Sequence, residues 1–125
     1  MLEQSPSSVA LSWMWAVVSG DVDTAIRLSS PSIIFTNSHV RRYEGHQGVR
    51  DIVSDLSRLS GFVTNVVDGD VLEDGVVVAL RRVQRFTLPS GGIEVRACSF
   101  VEVEDGVVTR WADYQNLEAI DVVVG

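Results

Sequence analysis

The string "WADYQN", residues 111–116, puts a carboxylate where a strand seldom carries one. Asp is depleted in strands. A two-residue period sets Asp113 on the same face as Trp111. Either that face meets water, or the carboxylate has work inside a pocket. Few other residues offer chemistry. His39 and His46 fall in a polar connection and at a helix start, seven residues apart, with no helical carboxylate pattern between them. They read as solvated surface and not as metal ligands. Cys98 is the single cysteine, so an intramolecular disulfide and a zinc site of several thiolates are excluded. All ten basic residues are Arg, which leaves no lysine for a Schiff base or a phosphate loop. "PSGG" joins two strands and precedes no helix, so it is not a phosphate cradle.

The elements that must position Asp113 follow from pattern. "SPSSVALSWMWAVVSGD" reads as a helix with Ser5 as N-cap, Pro6 at the first turn and Gly20 as the stop. Val9, Trp13, Ala16 and Val17 recur at helical spacing; Trp13 and Trp15 are expected in the core. Asp21 can cap a second short helix, "VDTAIRLSS", closed by Pro31. "SIIFTN" is a short strand with Ile33, Phe35 and Asn37 on one face, and "SHVRRYEG" is a polar connection. A third helix over Gln47–Leu59 carries Val49, Ile52, Val53, Leu56 and Leu59 as one stripe.

After Gly61 the period changes to two. "FVTNVVDGDVLE" and "VVVALRRVQRFTL" are joined by Asp74-Gly75; "IEVRACSFVEVE" and "VVTRWADYQN" are joined by Asp105-Gly106. Both dipeptides are hairpin turns. Glu94, Arg96, Glu102 and Glu104 alternate and mark an outer face, with Cys98 and Phe100 at the same parity. Helices first and hairpins afterwards predict an α+β fold. Long antiparallel strands twist and curl. Wrapped around three apolar-striped helices, they make a cone with a natural pocket.

The 125 residues fit one domain, 1–125, with one core. Apolar content of 46% and charged content of 22% are ordinary for a globular chain. The net charge of −7 disfavours nucleic acid as a partner. No stretch is long and apolar enough to span a bilayer. "MLEQSPSSVA" contains an acidic residue and no basic run, so it does not read as a secretory signal. A cytoplasmic location is the expectation.

Several strings are similar to the nuclear-transport-factor-2-like superfamily, and within it to limonene-epoxide hydrolases and SnoaL-like polyketide cyclases: "VVSGDVDTAIRLSSPSIIF", "YEGHQGVRDIV" and "GVVTRWADYQNLEAI". The resemblance implies a cone-shaped, cystatin-like α+β fold: a curved antiparallel (mixed) sheet around three helices. It also implies a polar cluster deep in the cone. Its last-strand Asp corresponds to Asp113, its Arg to Arg82 and its water-holding Asn to Asn37. Two positions depart from the hydrolase pattern. The second Asp is Gln84, and the Tyr is Phe35. Strand alternation supports this register. With Arg82 and Gln84 inward, Val78, Leu80 and Phe86 also point inward, and Arg81 and Arg85 face solvent.

A carboxylate in an apolar cone needs a partner, and Arg82 can grip Asp113 bidentately and keep it ionised. Asn37 can orient a water or a substrate oxygen. Gln84 cannot transfer a proton at neutral pH, so the hydrolase pattern lacks its acid. The reading is a small cofactor-free enzyme, without a metal, using Asp113 for proton transfer in epoxide opening, cyclisation or isomerisation. Arg82 and Asn37 assist, while Gln84, Phe35, Trp111, Phe86 and Trp13 line the substrate pocket. Implied substrates are compact apolar terpenoid, polyketide or steroid-like molecules. The alternative is a binding or dimerisation module of the same fold, with Asp113–Arg82 as a structural bridge. Val77, Ala79, Val83, Ala112 and Tyr114 share the opposite face and predict a homodimer.

Overall fold

Ser5 and Gly20 bracket the first helix as expected. The structure, a computed structural model, describes residues 4–37, 41–59, 63–67, 69–88 and 91–115. In α1 (Pro6–Ser19) the Ser5 side chain accepts from the Ser8 amide, and Gly20, at φ +82°, ends the helix in the left-handed region. Asp21 caps α2 (Val22–Arg27) by accepting from the Thr24 amide. This helix is shorter than the sequence predicts, because Ser29 already begins β1 (Ser29–Asn37). Ser29 pairs with Val108, and the Leu28 carbonyl accepts from the Val108 amide at 2.7 Å, so a tertiary ladder overrides the helical pattern. Pro31 falls where that ladder is interrupted, between Ser29 and Ile34, and its missing N–H breaks no bond there.

The expected polar connection contains a strand, β2 (Arg41–Glu44), antiparallel to β1. It is a short edge strand with three charged side chains in solvent, and only Tyr43 turns inward. α3 (Gly45–Leu59) follows directly. Its Val49 and Ile52 are buried, and Val53 and Leu56 pack against the same core.

The strand expected over "FVTNVVDGDVLE" is two strands, β3 (Val63–Val67) and β4 (Leu72–Asp74), both on the same edge of β5 (Val77–Leu88). Between the two ladders β5 skips only Leu80 and Arg81, whereas the chain from Val67 to Leu72 has four intervening positions. That excess breaks the pairing. β6 (Gly91–Glu104) and β7 (Val107–Gln115) complete the sheet. The hairpin between them turns on Asp105 (φ +52°) and Gly106 (φ +77°), the double positive φ that Asp-Gly accommodates.

The order is β2-β1-β7-β6-β5-β3, with β4 beside β5. The β1–β7 pair is parallel and the others are antiparallel, so the sheet is mixed and remains unclosed at its two ends. The fold is therefore the α+β arrangement of three helices and a curved sheet that the sequence predicts. Its core joins Val9, Trp13, Met14 and Val17 of α1 to Val78, Val101, Val108 and Trp111 of the sheet. Each such aliphatic side chain contributes about 1.5–3 kcal/mol by leaving water. Trp15 departs from expectation: it is 49% exposed on the outer side of α1.

Candidate functional site

Register brings the polar residues together. Asn37 stands opposite Asp113 across β1–β7, and Ser99 stands opposite Asp113 across β6–β7. Two residues along β6 from Ser99, Ala97 stands opposite Arg82 across β5–β6. Alternation then points Asn37, Asp113, Ser99, Arg82 and Gln84 to the helix side, while Arg81 and Arg85 are exposed.

Asp113 is 1% exposed and Arg82 5%. The Arg82 guanidinium donates through Nη2 to Asp113 Oδ2. The other carboxylate oxygen, Oδ1, accepts from Ser99 Oγ at 2.5 Å and from Trp111 Nε1 at 2.7 Å. Ser99 Oγ in turn accepts from Arg82 Nε at 3.1 Å, so the hydroxyl is a bridge inside the ion pair. The guanidinium carbon also lies 5.9 Å from the Trp111 ring centroid, within cation–π range. The Trp face of the last strand is the buried one. Ser99 was not among the predicted residues. Its parity with Val95, Ala97, Val101 and Val103, all buried, was the available signal.

Aromatic rings form the wall. Trp13 stacks on Trp111 at 4.8 Å between centroids and on Phe35 at 6.0 Å. Trp13 Nε1 donates to Ser29 Oγ, which donates to the Ala25 carbonyl, so the indole is fixed at both its polar and apolar surfaces. The cavity behind these rings is lined by Trp13, Phe35, Trp111, Asp113, Arg82 and Gln84, among others. Its free space is about 490 Å³ with the open mouth counted, of which only about 60 Å³ admits the centre of a water molecule. It is a narrow slot.

Gln84 is 6% exposed and faces this slot. Asn37 also lines it, with a buried Oδ1 that has no hydrogen-bond partner among the described residues. The side chain of Phe86 lies outside the described residues, as does His39. His46 differs from expectation. It is half-buried, and its Nε2 lies 3.0 Å from the Ser29 carbonyl, so the ring ties the start of α3 to β1. Among the described residues no three His, Cys, Asp or Glu side chains form a metal-binding group.

A second polar cluster borders the slot at its mouth and was not predicted. Tyr43 of β2 and Asp55 of α3 both line the cavity, and Tyr43 Oη donates to Asp55 Oδ2 at 2.7 Å. Arg41 and Arg58 also donate to the Asp55 carboxylate. Burial pushes the Tyr43 phenol above its ordinary value. Burial also pushes Asp55 upward, but the donors Tyr43, Arg58 and Arg41 outweigh it and hold the carboxyl below its ordinary value.

The fold and part of its sequence pattern are shared with known domains. A family model described as a SnoaL-like domain matches residues 10–111. No curated protein matches the sequence. Among solved structures, TerC, co-crystallised with polyporic acid, superposes with a TM-score of 0.82 at 16% identity, over 95% of this chain and 98% of that one. IdmH of Streptomyces antibioticus, a candidate polyketide cyclase, gives 0.82 at 19% identity, over 98% and 99%. An LEH-like epoxide hydrolase of M. tuberculosis gives 0.71 at 22% identity, over 93% and 86%. At these identities the structures establish the fold, and the family model establishes the lineage: the chain belongs to the SnoaL-like domain family of the nuclear-transport-factor-2-like superfamily.

Proposed function

We propose that the protein is a small enzyme, acting without a cofactor, that binds a compact and largely apolar molecule in the aromatic slot and moves a proton with Asp113. The observation that carries this reading is the Asp113–Arg82 pair facing a cavity whose other walls are Trp13, Phe35 and Trp111. Such a pair is costly in an apolar interior, and its cavity-facing position is the arrangement a general base requires. Arg82 orients the carboxylate. Asn37, with an unmet acceptor oxygen, holds a water or a substrate group that can donate. Gln84 lies where the hydrolase pattern has its acid, so cyclisation or isomerisation is as compatible with the site as epoxide opening. Terpenoid, polyketide or steroid-like rings are the substrate types in view. The test is turnover of a panel of epoxides and unsaturated ketones by the natural protein and by Asp113→Asn. Activity lost in the variant supports the reading. Equal activity in both rejects Asp113 as the base.

One observation favours a second reading, binding without turnover. Arg82, Ser99 and Trp111 already engage both carboxylate oxygens of Asp113, as in a bridge that fixes the sheet and the wall of the slot. Saturable binding of the same panel with no product would select it. In either case a homodimer through the convex sheet face is proposed. Val77, Ala79, Val83, Ala112 and Tyr114 lie on that face, where Phe100 and Tyr114 meet edge-on at 6.0 Å with Tyr114 60% exposed. A cytoplasmic setting, suggested by the lone and unpaired Cys98, completes the proposal.

A further inference from the structure

Tyr43 and Asp55 line the slot, yet the chemistry assigned to Asp113 makes no use of them. Their meeting depends on a close approach of α3 to β2. Gly48 makes it possible: a Cβ there would lie 3.0 Å from the Tyr43 carbonyl carbon and 3.1 Å from its Cβ. With that approach, Asp55 reaches the Tyr43 hydroxyl, and Phe35 supports the phenol ring edge-on at 5.7 Å between centroids.

The hydrogen-bond inventory sets what Tyr43 can offer a ligand. An ionised carboxylate only accepts. Asp55 is held in that form by two guanidiniums, so the single phenolic proton of Tyr43 is committed to it. The phenol oxygen keeps acceptor capacity, which Arg41 Nη1 meets only at 3.4 Å, a long contact. The acceptor capacity that remains on this oxygen therefore suits a donor. A ketone, an ether or an epoxide has none.

We propose that Tyr43, locked by Asp55, is a second recognition point at the mouth of the slot, where its phenol oxygen accepts a hydrogen bond from a hydroxyl group of a small apolar-ringed ligand. The ligand's other end rests near Asp113, Arg82 and Asn37. Tyr43 lies level with Phe35 and Trp111, two strands from β7 and two residues along from Asp113. Sheet spacings make that about 12 Å between Cα atoms, a gap that a two-ring molecule bridges once the side chains reach inward. The proposal rests on the slot being a small-molecule site. Asp55 acts through Tyr43 and is a positioning residue.

The probes are 2-naphthol and 2-methoxynaphthalene, which share a ring system and differ in whether the oxygen carries a proton. Affinities are measured by titration calorimetry for the natural protein, Tyr43→Phe and Asp55→Ala. A neutral hydrogen bond of this type is worth about two- to tenfold in affinity. The natural protein is expected to favour 2-naphthol by that factor. Tyr43→Phe should bring the ratio to about one while leaving 2-methoxynaphthalene unchanged. Asp55→Ala should also narrow the ratio, by strengthening the methoxy compound, because the freed phenolic proton can turn to its oxygen. That readout does not move if Asp55 is only structural. The inference is overturned if the natural protein shows no preference, or if the preference survives Tyr43→Phe. Absence of saturable binding by either probe would instead overturn the small-molecule reading of the slot, on which this inference stands.

Discussion

Replacing Arg82 by Met removes the charge partner of Asp113 while keeping a long apolar side chain in its place. The ion pair is among the least exposed polar groups of the protein, so water cannot take over from the guanidinium. Ser99 and Trp111 both bind Oδ1, on the far side of the carboxylate from the lost Nη2 contact at Oδ2. They do not move to compensate, because the hydroxyl is fixed by strand register and the indole by its stack on Trp13. Breaking a buried pair in this way costs about 3–5 kcal/mol. With an unfolding entropy near 2.1 cal/mol/K per residue over the chain, that corresponds to a fall in Tm of roughly 11–19 °C. Asp113→Asn keeps an acceptor oxygen for Ser99 and Trp111 and removes the charge that Arg82→Met strands. The double variant should therefore lose at least about 2 kcal/mol less than the sum of the two single ones. Urea titration followed by tryptophan fluorescence suits the purpose, since Trp111 and Trp13 belong to the site itself. A loss below about 1 kcal/mol for Arg82→Met, or strict additivity in the cycle, would refute the argument that the pair is a tightly coupled buried unit.

Gln84→Asp should create or raise diol formation from limonene-type and styrene-type epoxides, since general acid help is typically worth about 100- to 10,000-fold. Asp113→Asn in that background should abolish it, and strong hydrolysis by the natural protein would show that another residue supplies the proton. The mouth cluster makes stability depend on pH at both extremes. Asp55 has a depressed folded value, so its contribution is present above the ordinary carboxylate value of about 4 and is lost as pH falls through the folded one. Tyr43 has a raised folded value, so its contribution is present below about 10 and is lost as pH rises through the folded one. Unfolding free energies measured across pH should show Asp55→Asn flattening the acid limb and Tyr43→Phe the alkaline limb. For the convex face, Tyr114→Asp should shift a dimer to monomer in sedimentation at micromolar concentration, whereas a natural protein that is already monomeric there contradicts the dimer.

The resemblance implied that Asp113, Arg82 and Gln84 share one cluster, and local pattern supported it, because the strand period is two and the opposite parity would bury Arg81 and Arg85. It also located the caps Ser5, Gly20 and Asp21 and both hairpins, whose conformations are set by a few neighbouring residues; the second turns on Asp105-Gly106 as expected, whereas the first turns one residue later, on Gly75-Val76, with Asp74 already paired to Val77. Several features depended on pairing between distant segments. The parallel β1–β7 ladder shortened α2 and turned Ser29 and Pro31 into strand. Two surplus positions between β3 and β4 split what alternation drew as one strand. Ser99 became the bridge of the ion pair only through the β6–β7 register. Tyr43 falls in the expected polar connection, and no sequence pattern singles out Asp55. Their meeting at the mouth required β2 to pair with β1 and α3 to close on it at Gly48. A sequence encodes which face a side chain takes through short-range periodicity. Which side chain it meets is decided by register and close packing between segments far apart in the chain, and those are properties of the assembled sheet.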